Sequence, residues 1–421
     1  MIEKKPLVTI VMPCLNEEAY VGKALRSLLD DWAIRNCEVL VVDGGSADRT
    51  RQVVEGLIRN PPETTEWGNP PYPPLPKGGN SHTGPGASAG PGGRDGVTSG
   101  GRGVTPQDGA HAQDRPEDEV VWLFQAKDRW VRDVVGEWNP LTVGKRKAVI
   151  RLLDNHDRTA SCGMNLGITQ AAGRIIVRAD AHGLFPPGYV RRCVELLADT
   201  GAASAGGVMV PRGEGGRTQA AIALAMRHPL GTGDSAFRRT EFKGEAEGVI
   251  FGTFRKALID EIGEYDIKSR SNEDSELNVR ILCAGKKIYR DSGIKITYFP
   301  KKTFKELANQ YFRYGRGRAH ITIRHKMLTG WRQAAAPLLL LAIVFAVVRA
   351  VAGKPVHLLV PAVYTLGLLG AAFLTLDKGA GAGESEQPPF TLKTRLTVAA
   401  AWGVMHMCWG AGFLYGLVKF W

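Results

Sequence analysis

Leu7-Val8-Thr9-Ile10-Val11-Met12-Pro13, near the start of the 421-residue chain, is a continuous run of apolar and β-branched residues. Such a run predicts a strand that is buried on both faces of a sheet. An amphipathic stretch follows near Glu17–Leu29, and a second apolar run covers Glu38–Asp43. Strand and helix alternating at this spacing are typical of a parallel sheet covered by helices, so the sequence predicts an α/β domain.

The same alternation resumes after a long interruption and extends the predicted domain over residues 1–300. Strands are predicted at Val149–Asp154, Arg174–Arg178 and Ala202–Val210, and helices near Cys162–Ala172, Pro187–Ala198 and Asn272–Cys283. Lys287–Phe299 is predicted to be a strand or a bent strand pair. Residues 60–119 are crowded with proline and glycine, and they bury too little apolar surface to offset their ordering entropy. We expect this insertion to be disordered. Val120–Lys147 is predicted to be a helical flap or an ordered part of the insertion.

Three apolar segments end the chain, at residues 334–352, 356–376 and 396–418. Each is near the ~20 residues that a bilayer core requires. Buried soluble helices are the alternative, but three in succession favour a transmembrane region over residues 333–421. Basic residues flank the side that joins the α/β domain, so the positive-inside rule predicts a multi-pass inner-membrane protein with that domain in the cytoplasm.

The formal net charge of +12 is unusual for a protein with a packed core. Nucleic acid, an anionic membrane or an anionic substrate could each explain it. Residues 301–332 carry nine Lys/Arg and one acid, and apolar sequence follows at once. This segment therefore predicts a basic amphipathic helix at the membrane interface. No nucleic-acid-binding motif is recognised, so we expect no nucleic-acid partner.

Polar residues follow the predicted strands, where ligands of open α/β sheets bind. Pro13, Asn16 and Glu17 lie in the turn after the first strand, where they can contact a nucleotide. Asn and Glu also cap helices, which is the alternative for this turn. Asp43 ends the second strand and can accept hydrogen bonds from a base or ribose. An ordinary strand-end aspartate in a turn explains Asp43 equally simply.

Asp180-Ala181-His182 follows the run Arg174–Arg178 and is the candidate metal site. Mg²⁺ and Mn²⁺ prefer oxygen ligands and usually bridge a protein carboxylate to substrate phosphates. We therefore predict a divalent cation, Mg²⁺ or Mn²⁺, at Asp180, with His182 as a second ligand or a donor to phosphate. A turn with a solvated histidine is the alternative.

Two further segments carry candidate side chains. Asn272-Glu273-Asp274 opens a predicted helix, where acids favour the helix dipole and where one carboxylate could serve as a general base for a sugar hydroxyl. Gln310-Tyr311-Phe312-Arg313-Tyr314 combines aromatic and cationic side chains, which could grip a diphosphate or an acceptor. An interfacial helix that binds anionic lipid is the alternative.

Together these segments resemble glycosyltransferase family 2, whose members have the GT-A fold. The resemblance rests on Val8–Glu18, Val41–Asp48, Met164–Ile168, Arg178–His182, Asn272–Asn278 and the segment from Gln310, in this order. The Asp-Ala-His form and Trp409–Leu414 resemble the succinoglycan-type exopolysaccharide glucosyltransferases within that family. The family's usual Asp-x-Asp is Asp-x-His here, so the second metal ligand stays open.

The resemblance implies a mixed sheet with helices on both faces and inverting transfer of a hexose from a nucleotide sugar, a UDP-sugar by expectation. By position, Asp43 would contact the nucleobase, Asp180 would hold the metal and Asp274 would be the base. The donor-binding candidates are Pro13, Asn16, Glu17, Asp43, Asn165 and Asp180, and the acceptor or diphosphate candidates are Glu273, Gln310, Arg313 and Tyr314. Tethering beside a bilayer points to a lipid-linked saccharide acceptor.

Two alternatives stay open at this point. A processive polysaccharide synthase is the first, although this chain has Gln310-x-x-Arg313-Tyr314 where processive synthases carry Gln-x-x-Arg-Trp. A catalytically inactive membrane scaffold that binds a nucleotide sugar is the second. The presence of both Asp180 and Asp274 argues against the scaffold.

Overall fold

Strands and helices alternate along the chain as the sequence predicts. The structure, a computed structural model, describes residues 8–29, 37–60, 149–214, 216–232, 242–326, 332–376 and 391–420. The predicted insertion beyond Asn60 and the segment Val120–Lys147 lie outside these residues. The strands are β1 Val8–Cys14, β2 Cys37–Asp43, β3 Val149–Asp154, β4 Ile175–Arg178, β5 Gly183–Leu184, β6 Ser204–Pro211, β7 Lys243–Glu245, β8 Thr253–Arg255 and β9 Ile288–Tyr298.

Helices connect these strands and then end the chain. They are α1 Val21–Leu29, α2 Thr50–Arg59, α3 Ala160–Gln170, α4 Tyr189–Thr200, α5 Arg217–Arg227, α6 Pro229–Thr232, α7 Ala257–Ile262, α8 Glu273–Cys283, α9 Phe304–His325, α10 Arg332–Val351, α11 Leu359–Leu374 and α12 Leu392–Phe420, with a 3-10 helix at Pro355–Leu358. Local chemistry sets some boundaries. The Thr159 hydroxyl accepts a hydrogen bond of 3.2 Å from the Cys162 amide, which caps the start of α3.

The nine strands form one mixed sheet in the order β3-β2-β1-β4-β8-β6-β9-β5, with β7 also paired to β9. The strands β3, β2, β1 and β4 are parallel, whereas β8 is antiparallel to both of its neighbours. Parallel register places Cys14 beside Asp43 and Asp43 beside Asp154. The side chains that follow these strands therefore meet at one edge of the sheet, where a ligand of such a fold binds.

Helices cover both faces of the sheet, as predicted. Ile10 and Val39 point to the face covered by α1, α2, α4 and α5, and Val11 and Leu40 point to the face covered by α3, α7 and α8. All four side chains are fully buried. Burying a side chain of this kind contributes about 1.5–3 kcal/mol, so the two apolar layers hold the strand ends in fixed positions.

The long helix α9 lies between the α/β domain and α12. A capping box starts it, because Thr303 and Glu306 exchange side-chain to backbone hydrogen bonds of 3.1 and 3.2 Å. A Cβ on Gly315 would overlap the carbonyl oxygen of Trp409 in α12, and one on Gly317 would lie 2.6 Å from the carbonyl oxygen of Ser271. Only glycine allows α9 to approach both neighbours this closely.

Three helical segments are long and apolar enough to cross a membrane: Gln333–Val351, Pro355–Leu374 and Leu392–Phe420. They coincide with the predicted spans. In each of the first two, 11% of the most apolar window is buried in the protein, compared with 44% in the third. The third packs on α5, where the Trp402 indole donates a hydrogen bond of 3.0 Å to the carbonyl of Ala225.

Two carboxylates tie α9 to the α/β domain. Glu276 of α8 is fully buried, and its Oε1 lies 3.1 Å from Nε2 of His325. Asp266 lies 3.0 Å from Nε2 of His320 and 2.6 Å from Nη1 of Arg324. Burial raises the pKa of Asp266, but hydrogen bonds and these cations outweigh it and lower the pKa overall. The C-terminal half of α9 is therefore fixed to α8 and the loop before it.

Candidate active site

Arg178 joins three carboxylates at the edge of the sheet. It is the last residue of β4, and its side chain is 4% exposed. Its Nε donates to Oδ1 of Asp180 at 2.9 Å and its Nη2 donates to Oε1 of Glu273 at 2.8 Å, while its Nη1 donates to Oδ1 of Asp274. One guanidinium thus brings the predicted metal ligand and the predicted base into one cluster.

The turn before α8 aims Glu273 and Asp274 at this guanidinium. Asn272 caps the helix with a left-handed backbone, φ 61°, a conformation that Asn tolerates better than most residues. Its side-chain amide donates a hydrogen bond of 2.8 Å to the carbonyl of Tyr314 in α9. The first turn of α8 also favours negative charge through the helix dipole. Helix α9 therefore helps to position the two acids.

The surroundings of Asp274 suit proton transfer near neutral pH. Burial raises the pKa of Asp274 to about 7, because the raising effects of burial, Glu273 and Asp180 exceed the lowering effect of Arg178. A general base works best when its pKa lies close to the operating pH. The side chain is 18% exposed and lines the cleft, so a substrate hydroxyl can reach it.

The candidate metal ligands also lie in the cleft. Both oxygens of Asp180 accept hydrogen bonds from Arg178, at 2.9 and 3.4 Å. Nδ1 of His182 lies 3.1 Å from Oε1 of Glu17, which leaves only Nε2 for a cation or a phosphate. Within the described ranges, no group of three or more His, Cys, Asp and Glu side chains could hold a metal ion. Mg²⁺ and Mn²⁺ need no such group when substrate phosphates and water complete the shell.

Asp43, the last residue of β2, is fully buried. Its carboxylate accepts a hydrogen bond of 2.5 Å from the Ser46 hydroxyl and lies 3.3 Å from Nη1 of Arg51. This is the arrangement of a strand-end aspartate that organises the following turn. A contact between Asp43 and a nucleobase stays a prediction.

Two other donor-binding candidates are paired with backbone. The Asn16 side chain accepts a hydrogen bond of 2.8 Å from the Ala47 amide. The Asn165 side chain exchanges two hydrogen bonds of 2.9 Å with the backbone of Tyr265. Both side chains connect loops in this structure, so their roles in donor binding stay predictions. Pro13 and Glu17, by contrast, line the cleft.

All four predicted acceptor residues line one cleft of about 2090 Å³ with the Arg178 cluster: Glu273, Gln310, Arg313 and Tyr314. Gln310 is 5% exposed, and its Nε2 donates to the hydroxyls of Tyr298 and Tyr314 at 2.9 and 2.8 Å. Its Oε1 has no hydrogen-bond partner among the described residues. A buried acceptor of this kind favours a ligand that donates a hydrogen bond.

Sequence reasoning assigned no role to Arg178, Tyr298 or Asn272. A signal for Arg178 was present, because a charged residue at the end of a buried apolar strand needs partners. Residues two apart in an extended segment point to the same side, so Asp180 was a partner to expect. Tyr298 and Asn272 act through residues far away in the chain, and no local pattern marks them.

Comparisons with known proteins bear on the family of the chain. A sequence profile described as glycosyl transferase family 2 matches residues 9–65 and 112–261. The succinoglycan biosynthesis protein ExoA of Rhizobium meliloti (strain 1021) is 27% identical over 98% of this chain and 95% of its own length. The lipopolysaccharide core biosynthesis glycosyltransferase LpsC of the same strain is 45% identical over 14% of this chain and 19% of its own.

Two solved structures show a weaker likeness. The mannosyltransferase PcManGT from Pyrobaculum calidifontis, in complex with GDP-Man and Mn²⁺, matches 99% of this chain and 88% of its own, with 15% identity and a TM-score of 0.48. S. aureus TarS in complex with UDP-GlcNAc matches 76% of this chain and 72% of its own, with 13% identity and a TM-score of 0.39. The family profile, the near full-length similarity to ExoA and the mixed sheet agree: the chain is a glycosyltransferase and belongs to glycosyl transferase family 2.

Proposed function

We propose that this glycosyltransferase moves a hexose, with inversion, from a UDP-sugar to a lipid-linked saccharide in exopolysaccharide synthesis. We place its α/β domain on the cytoplasmic face of the inner membrane. The observation that carries the proposal is the Arg178 cluster, which joins Asp180 and Asp274 in one cleft. Similarity to a succinoglycan biosynthesis protein and the candidate spans beside the cleft support the pathway and the acceptor class.

Asp274 is the proposed general base. Its carboxylate takes the proton of the acceptor hydroxyl while that oxygen forms a bond to the anomeric carbon. The bond from the anomeric carbon to the diphosphate breaks on the opposite face, so the configuration inverts. Arg178 keeps the carboxylate in place, and the pKa of Asp274, raised to about 7, makes the proton transfer efficient near neutral pH.

Asp180 and His182 are the proposed holders of Mg²⁺ or Mn²⁺. Their donor set suits a cation shared with substrate phosphates: one carboxylate and one ring nitrogen that line the cleft. Such a cation offsets the charge that develops on the leaving diphosphate. Each oxygen of Asp180 accepts one hydrogen bond from Arg178 and keeps a further lone pair, so Asp180 could bind the cation while Arg178 holds Glu273 and Asp274.

The part of the cleft that α9 lines is the proposed acceptor side. Oε1 of Gln310 suits a sugar hydroxyl, because it is buried and has no partner among the described residues. Arg313 is exposed and lines the cleft, and a guanidinium suits a phosphate oxygen. Tyr314 holds Gln310 through its hydroxyl and Asn272 through its carbonyl.

A screen of nucleotide sugars for metal-dependent nucleotide release by the full-length protein tests this proposal. We expect release of UDP with Mn²⁺ or Mg²⁺ and a single sugar added to each lipid acceptor. Asp199→Asn, an exposed aspartate of α4, serves as the matched control for Asp274→Asn. Release from no nucleotide sugar would favour an inactive scaffold, and a ladder of products would favour a processive synthase.

A further inference from the structure

The cleft continues beyond the proposed acceptor residues into the candidate membrane spans. Ala335, Ala336 and Leu339 of α10 line it, as do Met405 and Trp409 of α12. None of the donor or acceptor roles above uses these side chains. They belong to the same continuous cleft as Asp180 and Asp274.

A series of direct contacts connects the proposed base, Asp274, with α10. Asn272, beside the two acids, donates to the carbonyl of Tyr314 in α9. The next residue of α9, Gly315, is in close contact with the carbonyl of Trp409. The following residue of α12 then meets α10, because a Cβ on Gly410 would lie 2.7 Å from the carbonyl oxygen of Ala336. Successive elements therefore lead from Asp274 through α9 and α12 to the start of α10.

The chemistry of the lining changes along this path. Arg313 and Arg316 line the part beside the acids, together with the amide oxygen of Gln310. At the far part the lining side chains are mostly aliphatic, thioether and indole groups, with Gln333 and His406 as the polar residues among them. A ligand that matches both parts carries an anionic, hydroxyl-rich head and an apolar chain.

The apolar part also lies where the chain begins its first candidate span. That span is Gln333–Val351, and only 11% of its apolar window is buried in the protein. Leu339 is half-buried on the side of α10 that faces the cleft, whereas Leu338 is 61% exposed on another side. A hydrocarbon chain lying along Leu339 can pass directly into a bilayer around α10. A water-soluble acceptor would gain nothing from this lining.

We propose that the hydrocarbon chain of the acceptor lies between α10 and α12, along Leu339, Met405 and Trp409, while its phosphate-bearing head lies at Arg313 and Arg316. This inference rests on the proposed lipid-linked acceptor and adds its binding site. Charge and apolar surface in one continuous cleft favour a single amphiphile over a protein partner, which would cover the opening to the base. The acceptor then reaches Asp274 from the bilayer side while the nucleotide sugar arrives from the strand ends.

Leu339→Trp and Leu338→Trp form the matched pair that tests this site. Each full-length variant is assayed with two acceptors that share one saccharide-diphosphate head, on a long polyisoprenyl chain or on a short alkyl chain. We expect Leu339→Trp to raise KM for the long-chain acceptor about tenfold, because displaced chain carbons lose their burial. KM for the short-chain acceptor and UDP release without acceptor should change less than about twofold. Leu338→Trp should match the parent protein.

The outcomes separate this inference from the proposed function. Transfer by the parent protein to neither acceptor contradicts the proposed function. Normal transfer by the parent, with equal KM effects in the two variants or on the two acceptors, overturns the chain site alone.

Photocrosslinking supplies a second measurement that does not depend on folding of a variant. A long-chain acceptor with a diazirine in its chain should label peptides containing residues 335–339 and 405–409 in the parent protein. Label confined to the exposed residues Val344 and Phe345 on α10 would also overturn the site.

Discussion

Two clusters of charged side chains fix helix α8 in place, and the balance of acidic and basic groups is opposite in the two. At its first turn, the single cation Arg178 meets three carboxylates in the cleft. Three residues beyond Glu273, the fully buried Glu276 meets two arginines and a histidine, with Arg280 at 2.7 Å, His325 at 3.1 Å and Arg324 at 3.5 Å. Acids outnumber the cation in the first cluster, whereas cations surround the acid in the second.

The first cluster belongs to the proposed reaction site, whereas the second is a structural joint, a contact that connects α8 to α9. Unbalanced negative charge beside a cleft is costly, but it attracts a cation. Burial is the largest cause that raises the pKa of Asp274 to about 7, and the charges of Glu273 and Asp180 add to it. The second cluster lies away from the proposed chemistry and connects α8 to α9. We therefore expect substitutions in the first cluster to change turnover and substitutions in the second to change stability.

The largest expected effect is that of Asp274→Asn on turnover. Asparagine keeps the size of the side chain but cannot accept the acceptor proton, so kcat should fall by about 10²–10⁴, the usual contribution of a general base. KM for the donor should stay close to that of the parent, because the proposed donor contacts are untouched. Steady-state kinetics beside Asp199→Asn measures this. Turnover within about threefold of the parent would remove Asp274 from the base role.

Glu276→Ala should break the joint and leave the chemistry intact. Removing one partner of a buried ion pair costs about 3–5 kcal/mol, because the remaining charges stay buried. The denaturation midpoint of the protein should fall, while kcat at a temperature where the variant is folded should stay near the parent value. Glu261→Ala, which removes an exposed acid paired with Lys286 away from the cleft, is the control. A loss of kcat without loss of stability would show that the second cluster also serves catalysis.

Much of the fold could be predicted from the sequence because burial leaves a pattern. Apolar runs in the sequence predicted the parallel strands, and the β-branched residues before Asp180 predicted β4. The strands β5, β7 and β8 contain two or three residues each, too few to show a period, so they were not predicted. The segment Lys287–Phe299 was predicted as a strand or a bent pair. It contains the single strand β9, whose pairing with β6 shifts register between Gly206 and Val208.

The site was harder to predict, because identical residue types take different partners. Asp43 and Asp180 both follow buried strands, yet Asp43 is enclosed by Ser46 and Arg51, whereas Asp180 lines the cleft. The approach of Arg178 to Asp274 joins residues 96 positions apart, and no local pattern encodes it. The family resemblance supplied the roles, and the structure supplied the partner that connects them.

Asp180→Ala and His182→Ala test whether these two side chains bind the proposed cation. Asp180→Ala removes the carboxylate proposed to hold the cation, so metal-dependent UDP binding should be lost in this variant. His182→Ala should weaken it less, because Glu17 already takes one ring nitrogen. Titration calorimetry of UDP with and without Mn²⁺ measures both. Equal loss would make His182 a full ligand, and unchanged binding in Asp180→Ala would contradict the metal role.

The smallest expected effect is on stability, and its size depends on pH. Burial, assisted by Glu273 and Asp180, raises the pKa of Asp274 to about 7, whereas an unfolded aspartate titrates near 3.9. Between these values the folded protein holds a proton that the unfolded chain has released. Stability from this group is therefore fully present below about pH 3.9 and is lost progressively as pH rises to about 7.

Asp274→Asn removes that dependence, because the amide stays neutral at every pH. We expect its Tm to exceed that of the parent at pH 8, by an excess about 2 °C larger than at pH 5.5, because roughly 2 kcal/mol shifts the Tm of a chain of this length by about that much. The variant that loses most activity would then be the more stable protein above neutral pH, as expected where unbalanced charge serves function. A lower Tm at both pH values would mean that the ionised pair with Arg178 stabilises the fold, and that the first cluster, like the second, is a joint.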